Sequence, residues 1–385
     1  MDTLAMFGHD DLLSSLNKES AITEKINYLH GLTRDRFPFI DRISVAVYDE
    51  KCDLLKVFSH STDRGNPLPY YQAKLSDAKS LKKIVKEKKP RVVNDLSIFN
   101  GGKNKHTQKI KEHGFQSSYT VPLFHDSTFI GFLFFNSRQK NVFSDSVLSY
   151  LDMIAKLVSL LLFGEISEVK TLHGALRTAT EFTSHRDPET GAHLDRMARY
   201  VHLIAREVAD VEGFNEEVVE RLFWYAPLHD VGKIAIPDRI LLKNDRLTND
   251  EFEIMKTHAD KGAEIVYKML KNFNLNETNY IPQLINIVRH HHENIDGSGY
   301  PMGLKGTEIP AEARIVAVAD VFDALTTERP YKNAWSNDEA FNELWKITSW
   351  KLDSKFVSAL DKNREFVIEI QNRFKDEPID KNQVH

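Results

Sequence analysis

The chain has a single cysteine, Cys52. That excludes an intrachain disulfide and a thiolate metal cage, and it suits a reducing cytosol. There is no surplus of positive charge, since 51 Lys and Arg stand against 56 Asp and Glu for a net of −5. A DNA or RNA polymer is therefore excluded as the partner of the whole surface, because such proteins carry a basic excess. An anionic ligand would have to be met by local cations, bound metal included. The start, MDTLAMFGHDD, is acidic and lacks the basic-then-apolar order of a secretory leader. The best apolar run, residues 151–163, is 13 residues long and contains Lys156. A span needs about 20 residues, so no membrane insertion is expected. Internal repeats and low-complexity tracts are absent as well, and a cytoplasmic protein is expected.

What is present falls into two halves with different periodicity. The 385 residues are enough for two domains, each with its own core. From residue 22 to 163 strand and helix patterns alternate. Residues 42–60 read as a hairpin around Asp-Glu-Lys, 80–89 as a helix halted near Pro90, 91–94 as a short strand, and 117–137 as a hairpin turning at 125–127. That order resembles a GAF domain, a small α+β sensor built on an antiparallel sheet. Apolar residues then recur at helical spacing (Leu151, Ile154, Val158, Leu161, Leu162, Ile166, Val169, Leu172, Leu176). This predicts a connecting helix over 151–177, whose stripe either pairs with a second copy as a homodimer seam or packs on its own domain. From about Thr178 onward the pattern is helical throughout, which predicts an all-α bundle. The expected division is a leader at 1–16, a GAF-like sensor at 17–163, a catalytic domain at 178–375 and a flexible tail at 376–385.

Several strings in the second half are ones that neither a core nor a solvated face would select. HHENIDGSGYP (291–301) sets two histidines and an acid before a glycine-framed Tyr-Pro loop, and LHDVGK (228–233) puts a lysine three residues after His-Asp. His-Asp also occurs at 9–10 and 125–126, so context must separate the copies. Only His229–Asp230 closes an apolar helix and has companions, with Gly232 expected as its cap. Glu189 and His193 share one face of a helix opened by Asp187 and Pro188. His258 lies on a helix started by the capping box of Thr248 and Glu251 and running toward Leu270. His291 and His292 end the next helix, and Asp320 lies on the one opened by Pro310. Five successive helices thus each offer an imidazole or a carboxylate. Nitrogen and oxygen donors without sulfur suit iron or manganese, with nickel or zinc as alternatives. The set is too large for one ion and suits two or three. Asp230 would bridge ions typically about 3.5–4 Å apart, and bound metal lowers the pKa of water to supply a nucleophile.

RDPETGAH, LHDVGKIAIPD, LKNDRLTNDEFEIMKTH, HHENIDGSGYPMGLKGTEIP and ARIVAVADVFDALTTERPYK, taken in order, resemble the signatures of the HD-GYP family over about residues 178–335. The resemblance implies a metal-dependent phosphodiesterase on an HD-superfamily helical bundle, acting on cyclic di-GMP. Its product would be pGpG, or GMP if cleavage continues. The hybrid 3′,3′-cyclic GMP-AMP is the alternative substrate, and a non-catalytic cyclic dinucleotide receptor the alternative role. His193, His229, Asp230, His258, His291, His292 and Asp320 match metal ligands, and Glu189 the acid that adds a third ion. Lys233 matches the group that assists at the leaving oxygen, with Asp230 as its catalytic partner. Tyr300, Arg329 and Lys332 match substrate contacts, and Asp323, one turn from Asp320, is either a further contact or a cap of local structure. The resemblance also implies a cyclase-domain partner at the Tyr-Pro loop. The chain departs from the pattern at Ile295 and in SWKLDSKFV, where Trp350, Leu352 and Ser354 stand.

Overall fold

The computed structural model describes residues 13–17, 20–62, 68–99, 110, 112–182, 191–243, 245–273, 281–328 and 333–376. Glu189, Arg329 and Lys332, together with the expected helix opening at Asp187, lie outside them, as do residues 1–12 of the leader and 377–385 of the tail. The chain divides into two compact units, Met1–Ile166 and Ser167–His385.

In the first unit, helix α1 (Ile22–Arg36) precedes strands β1 (Arg42–Asp49), β2 (Leu54–Thr62) and β3 (Gln72–Lys74). Helix α2 (Lys79–Glu87) and strands β4 (Arg91–Val93), β5 (Ser117–His125) and β6 (Thr128–Ser137) follow. They form one antiparallel sheet in the order β3-β2-β1-β6-β5-β4. Both expected hairpins are present. The first is closed at Asp53, at φ 55°, whose carboxylate accepts from Tyr48 Oη (2.9 Å) and Ser76 N (3.0 Å). The second turns through Asp126, also left-handed at φ 51°, a conformation aspartate tolerates well. Where β6 crosses β1 only glycine fits, because a Cβ on Gly131 would lie 2.0 Å from Ala46 O. Strand β3 was not legible, being three residues with no alternation.

Helix α3 (Asp145–Phe182) begins in this unit and is longer than the 13-residue apolar run suggested. Gly164 does not interrupt it. Its stretch Asp145–Glu168 is long and apolar enough to cross a membrane by length and composition alone, which corrects the expectation of too short a run. The stripe Leu151, Ile154, Val158 and Leu162 is buried within the chain. Beside it Asp152 accepts from Tyr119 Oη on β5, and Phe163 stacks on His125 with ring centroids 3.2 Å apart. Four such side chains contribute about 1.5–3 kcal/mol each. Of the two readings of the stripe, packing on its own sheet accounts for these four. The side chains of Val169, Leu172 and Leu176 lie outside the described residues.

The second unit is helical throughout its described residues. Helix α4 (Gly191–Glu212) is followed by α5 (Glu216–Tyr225), the short α6 (Asp238–Leu241), α7 (Asn249–Lys256), α8 (His258–Asn272) and α9 (Ile281–His290). Then come α10 (Ala311–Thr326), α11 (Asn337–Ile347), α12 (Ser354–Asp361) and α13 (Arg364–Arg373). Tyr200 of α4 meets Phe322 of α10 edge-on at 5.3 Å, and Phe322 meets Phe341 of α11 at 4.8 Å, in a core that water does not reach.

Three local expectations change. The capping box at Thr248 and Glu251 forms, but the helix stops at Lys256. There the Thr257 hydroxyl bonds back to Ile254 O at 2.6 Å, and His258 opens a separate helix. The helix before His229 ends at Tyr225 and tightens through residues 226–228, because Pro227 has no N–H to continue the ladder. Gly232 does not cap a helix. It lets two backbones touch, since a Cβ there would lie 1.8 Å from His258 O and 2.6 Å from Gly262 N.

Candidate metal centre

Helix ends, not helix middles, present most of the donors. His229 and Asp230 follow the turn after α5, His258 is the first residue of α8, and His291 and His292 stand just past α9. His193 comes from the first turn of α4 and Asp320 from α10. Asp230, His258, His291 and His292 bring donor atoms within 4.8 Å of one another, and His193, His229 and Asp320 do the same. Each set could hold a metal ion.

Asp230 lies between the sets. Its Oδ1 is 3.2 Å from His258 Nε2 and 3.5 Å from His291 Nε2, while its Oδ2 is 3.3 Å from His229 Nε2 and 2.7 Å from Lys233 Nζ. His229 Nε2 stands 4.0 Å from Asp320 Oδ1.

The other ring nitrogens fix which atom faces the cluster. Nδ1 of His229 donates to Ala226 O (2.9 Å), that of His258 to Met255 O (2.8 Å), and that of His291 to Ile287 O and Val288 O (3.1 Å each). A carbonyl only accepts, so each Nδ1 carries the proton and each Nε2 presents a lone pair. The Nε2 atoms of His258 and His291 and Oδ1 of Asp230 are buried and make no hydrogen bond. Lone pairs on nitrogen therefore face lone pairs on a buried carboxylate across little more than 3 Å. That arrangement is repulsive by itself and favourable with a cation between. The residues thus fit a hard or borderline metal.

Protonation agrees. Burial pushes the His291 imidazole down, with the Asp230 carboxylate opposing, and burial followed by the neighbouring His291 holds His292 well below its ordinary value. Both rings stay in the neutral, ligating form. Burial pushes the Asp230 carboxyl up, but the Lys233 ammonium beside it outweighs this and holds the group well below the usual carboxylate range. The floor of the site is closed, with His229 fully buried, whereas Asp320 (23% exposed) and Lys233 (21%) line its open side.

Tyr300 reaches the same place from the 291–301 loop. Its ring centroid is 4.8 Å from that of His292 and 6.2 Å from that of His258, with Lys256 Nζ 5.8 Å away. Burial, then the Asp230 and Asp320 carboxylates, keep its hydroxyl protonated by raising its pKa. The loop is held by Glu293, which sequence reasoning passed over. Its buried carboxylate accepts from Met302 N (2.7 Å) and Leu304 N (3.0 Å). The loop glycines serve the loop itself: a Cβ on Gly299 would lie 2.2 Å from Asn294 N, and one on Gly297, at φ 85°, would strike Lys305. The departures from the family pattern are absorbed by main chain, since Ile295 N donates to Lys351 O (3.2 Å) and Asp296 N to Trp350 O (3.0 Å).

One expected site residue is elsewhere. Asp323 is 1% exposed and does not face the open side. Its Oδ2 accepts from His193 Nδ1 at 2.7 Å, and Arg196 grips both carboxylate oxygens at 2.6 and 2.9 Å. Asp323 is thus corrected from a substrate contact to a partner of His193, because one helical turn on α10 carries it from the cavity into the core. Arg196, three residues past His193 on the same helix face, was the available and unused signal. His290 stands apart, with its Nδ1 3.8 Å from Glu293 Oε1.

Comparison with known proteins agrees with this division. Residues 189–356 match the HD domain and residues 40–162 the GAF domain. Over 190 residues the chain is 44% identical to the cyclic di-GMP phosphodiesterase response regulator RpfG of Xanthomonas campestris, covering 49% of this chain and 47% of that protein. It is 41% identical over 207 residues to a cyclic di-GMP phosphodiesterase of Thermotoga maritima (54% and 53% covered). It is 39% identical over 175 residues to 3′3′-cGAMP-specific phosphodiesterase 2 of Vibrio cholerae (46% and 31%). The chain spans about half, or less, of the length of these relatives.

Proposed function

We propose that this chain, in which a GAF domain precedes an HD domain, is a metal-dependent phosphodiesterase that opens cyclic di-GMP to pGpG, or to GMP if cleavage continues. The observation that carries this reading is the part-buried Asp230 carboxylate held between imidazole lone pairs on both of its sides, with Lys233 on one oxygen. His193, His229, Asp230, His258, His291, His292 and Asp320 would hold two ions, and Glu189 would add a third, with iron the expected metal and manganese the alternative. When bound, the metal supplies an acidified water and neutralises charge on the phosphoryl oxygens.

The chain's own groups do the rest. Lys233 Nζ is positioned on the open side to give a proton to the departing 3′-oxygen. Tyr300 packs on a base or donates its hydroxyl to a phosphate, and Arg329 and Lys332 grip the second, non-reacting phosphate. The closed floor keeps bulk water from the donors, which strengthens each of these interactions. The GAF unit controls turnover, in a cytoplasmic homodimer that meets a cyclase-domain partner at the Tyr-Pro loop.

The relatives named for cyclic di-GMP support the substrate, and the 39% identical relative named for 3′3′-cGAMP supports that dinucleotide as a second reading. Protein purified anaerobically with iron is to be incubated with each dinucleotide and the products separated by chromatography. Linear pGpG from cyclic di-GMP, at a higher kcat/KM than for the hybrid, is the expected outcome. A reversed preference selects the second reading, and tight binding with both substrates left intact overturns the enzyme in favour of a receptor.

A further inference from the structure

The histidines of the cluster are not held alike. His229, His258 and His291 each give their Nδ1 proton to a main-chain carbonyl, whereas His193 gives it to a carboxylate. That carboxylate, Asp323, is itself pinned by Arg196, and Arg196 is saturated. Its Nε donates to Asp323 Oδ1 and its Nη2 to Asp323 Oδ2 and Thr327 Oγ1 (2.9 Å each for Nη2). Its Nη1 donates to Phe374 O (2.8 Å) and Asp376 Oδ2 (2.9 Å). All five N–H donors of the guanidinium are used. The side chains of Arg196 and Asp323 are almost fully buried, but Asp376 is 28% exposed. A continuous path of charged contacts therefore leads from the cluster, through the core, to the segment that follows α13.

We propose that Asp323 and Arg196 are positioning residues for His193, and that residues 374–376 complete the arrangement. The ion nearest His193, His229 and Asp320 would then be held by contacts that extend to the surface of the unit. A carboxylate on Nδ1 makes the opposite nitrogen a stronger donor than a carbonyl does, and fixes the plane of the ring. The fork from Arg196 fixes the carboxylate in turn, because a guanidinium meets a carboxylate in one bidentate geometry. Thr327 adds a second consequence. It bonds to both Arg196 and Asp323 and stands two residues before Arg329, so the grip on His193 and the start of the segment bearing Arg329 and Lys332 share one anchor.

The inference rests on reading the cluster as a metal centre, and the test separates the two. Full-length wild type, Asp323→Asn and Asp376→Asn are stripped with chelator and dialysed against a series of manganese(II) concentrations. Ions per chain are counted by elemental analysis, and the melting temperature of each stripped sample is recorded. Asp323→Asn should lose about one ion per chain at manganese levels that saturate wild type, its weaker site falling about 10- to 100-fold in affinity. Asp376→Asn, which removes only the outermost negative charge, should show a smaller fall in the same site. A lowered melting temperature in the stripped Asp323→Asn protein with an unchanged ion count makes the role purely structural and overturns the proposal. Should Asp323→Asn fail to fold, Asp376→Asn decides, and an unchanged count overturns it. Wild type that retains no manganese overturns the metal reading itself and this inference with it.

Discussion

At the scale of the residue, the chemistry sits in a few side chains whose neighbours fix their state. Lys233 is the sharpest case, because its ammonium is 2.7 Å from the Asp230 carboxylate that lies between the two donor sets. If its task is the proton for the leaving oxygen, Lys233→Met should lower kcat by about 10²- to 10⁴-fold while KM and the ion count stay close to wild type. Steady-state kinetics beside elemental analysis of the same sample checks this, and a loss of metal would assign the lysine to assembly instead. The donors were legible because one helix after another along the second half offers an imidazole or a carboxylate, and few structural duties require that. Asp323 was not legible, since a carboxylate one turn from a ligand can face the cavity or the core equally well in a sequence. Only the position of Arg196 decides between them. Glu293 was hidden in the same way, as an acid beside two histidines whose partners are the backbone amides of its own loop.

At the scale of the element, the decisive contact is between the turn after His229 and the start of α8. Gly232 abuts the backbone of His258 and Gly262 so closely that a methyl group has no room. Gly232→Ala must push the two segments apart and with them Asp230 and His258, which face each other at 3.2 Å. Overpacking of this kind costs about 1–3 kcal/mol. Chemical denaturation should register that loss, together with a lower ion count in the protein that remains folded. A variant as stable and as metal-rich as wild type would show that the seam is slack. Helix starts were readable, as at Thr248 and Pro310, whereas the break at Thr257 was not. No proline or glycine marks it. It arises from a hydroxyl bonding back to Ile254 O and from the close approach of Gly232, the second of which is a tertiary contact.

At the scale of the whole molecule, the change from mixed to purely helical periodicity disclosed two units, and the structure divides the chain at residues 166 and 167. A role for the sheet of the first unit has no comparable signature, because its buried face is built from residues that any α+β core would accept. The second unit carries its donors pre-aimed, so metal should stabilise a fold already present. A ligand held at 100 times its dissociation constant adds about 2.7 kcal/mol. Removing metal with chelator should therefore lower the melting temperature of the helical unit's transition, and restoring manganese should raise it again. No shift in either direction would mean the cluster does not hold metal in solution.

The carbonyl bonds behind His229, His258 and His291 carry a further meaning for how such a protein can change over generations. Main-chain oxygens are common to every amino acid, so no point mutation at Ala226, Met255 or Ile287 deletes the acceptor that orients those rings. Among these four imidazoles, it is at His193 that a side chain takes the Nδ1 proton. A substitution that re-aims a ring through its partner's side chain is thus open at His193, while the carbonyl-held rings keep their bearing.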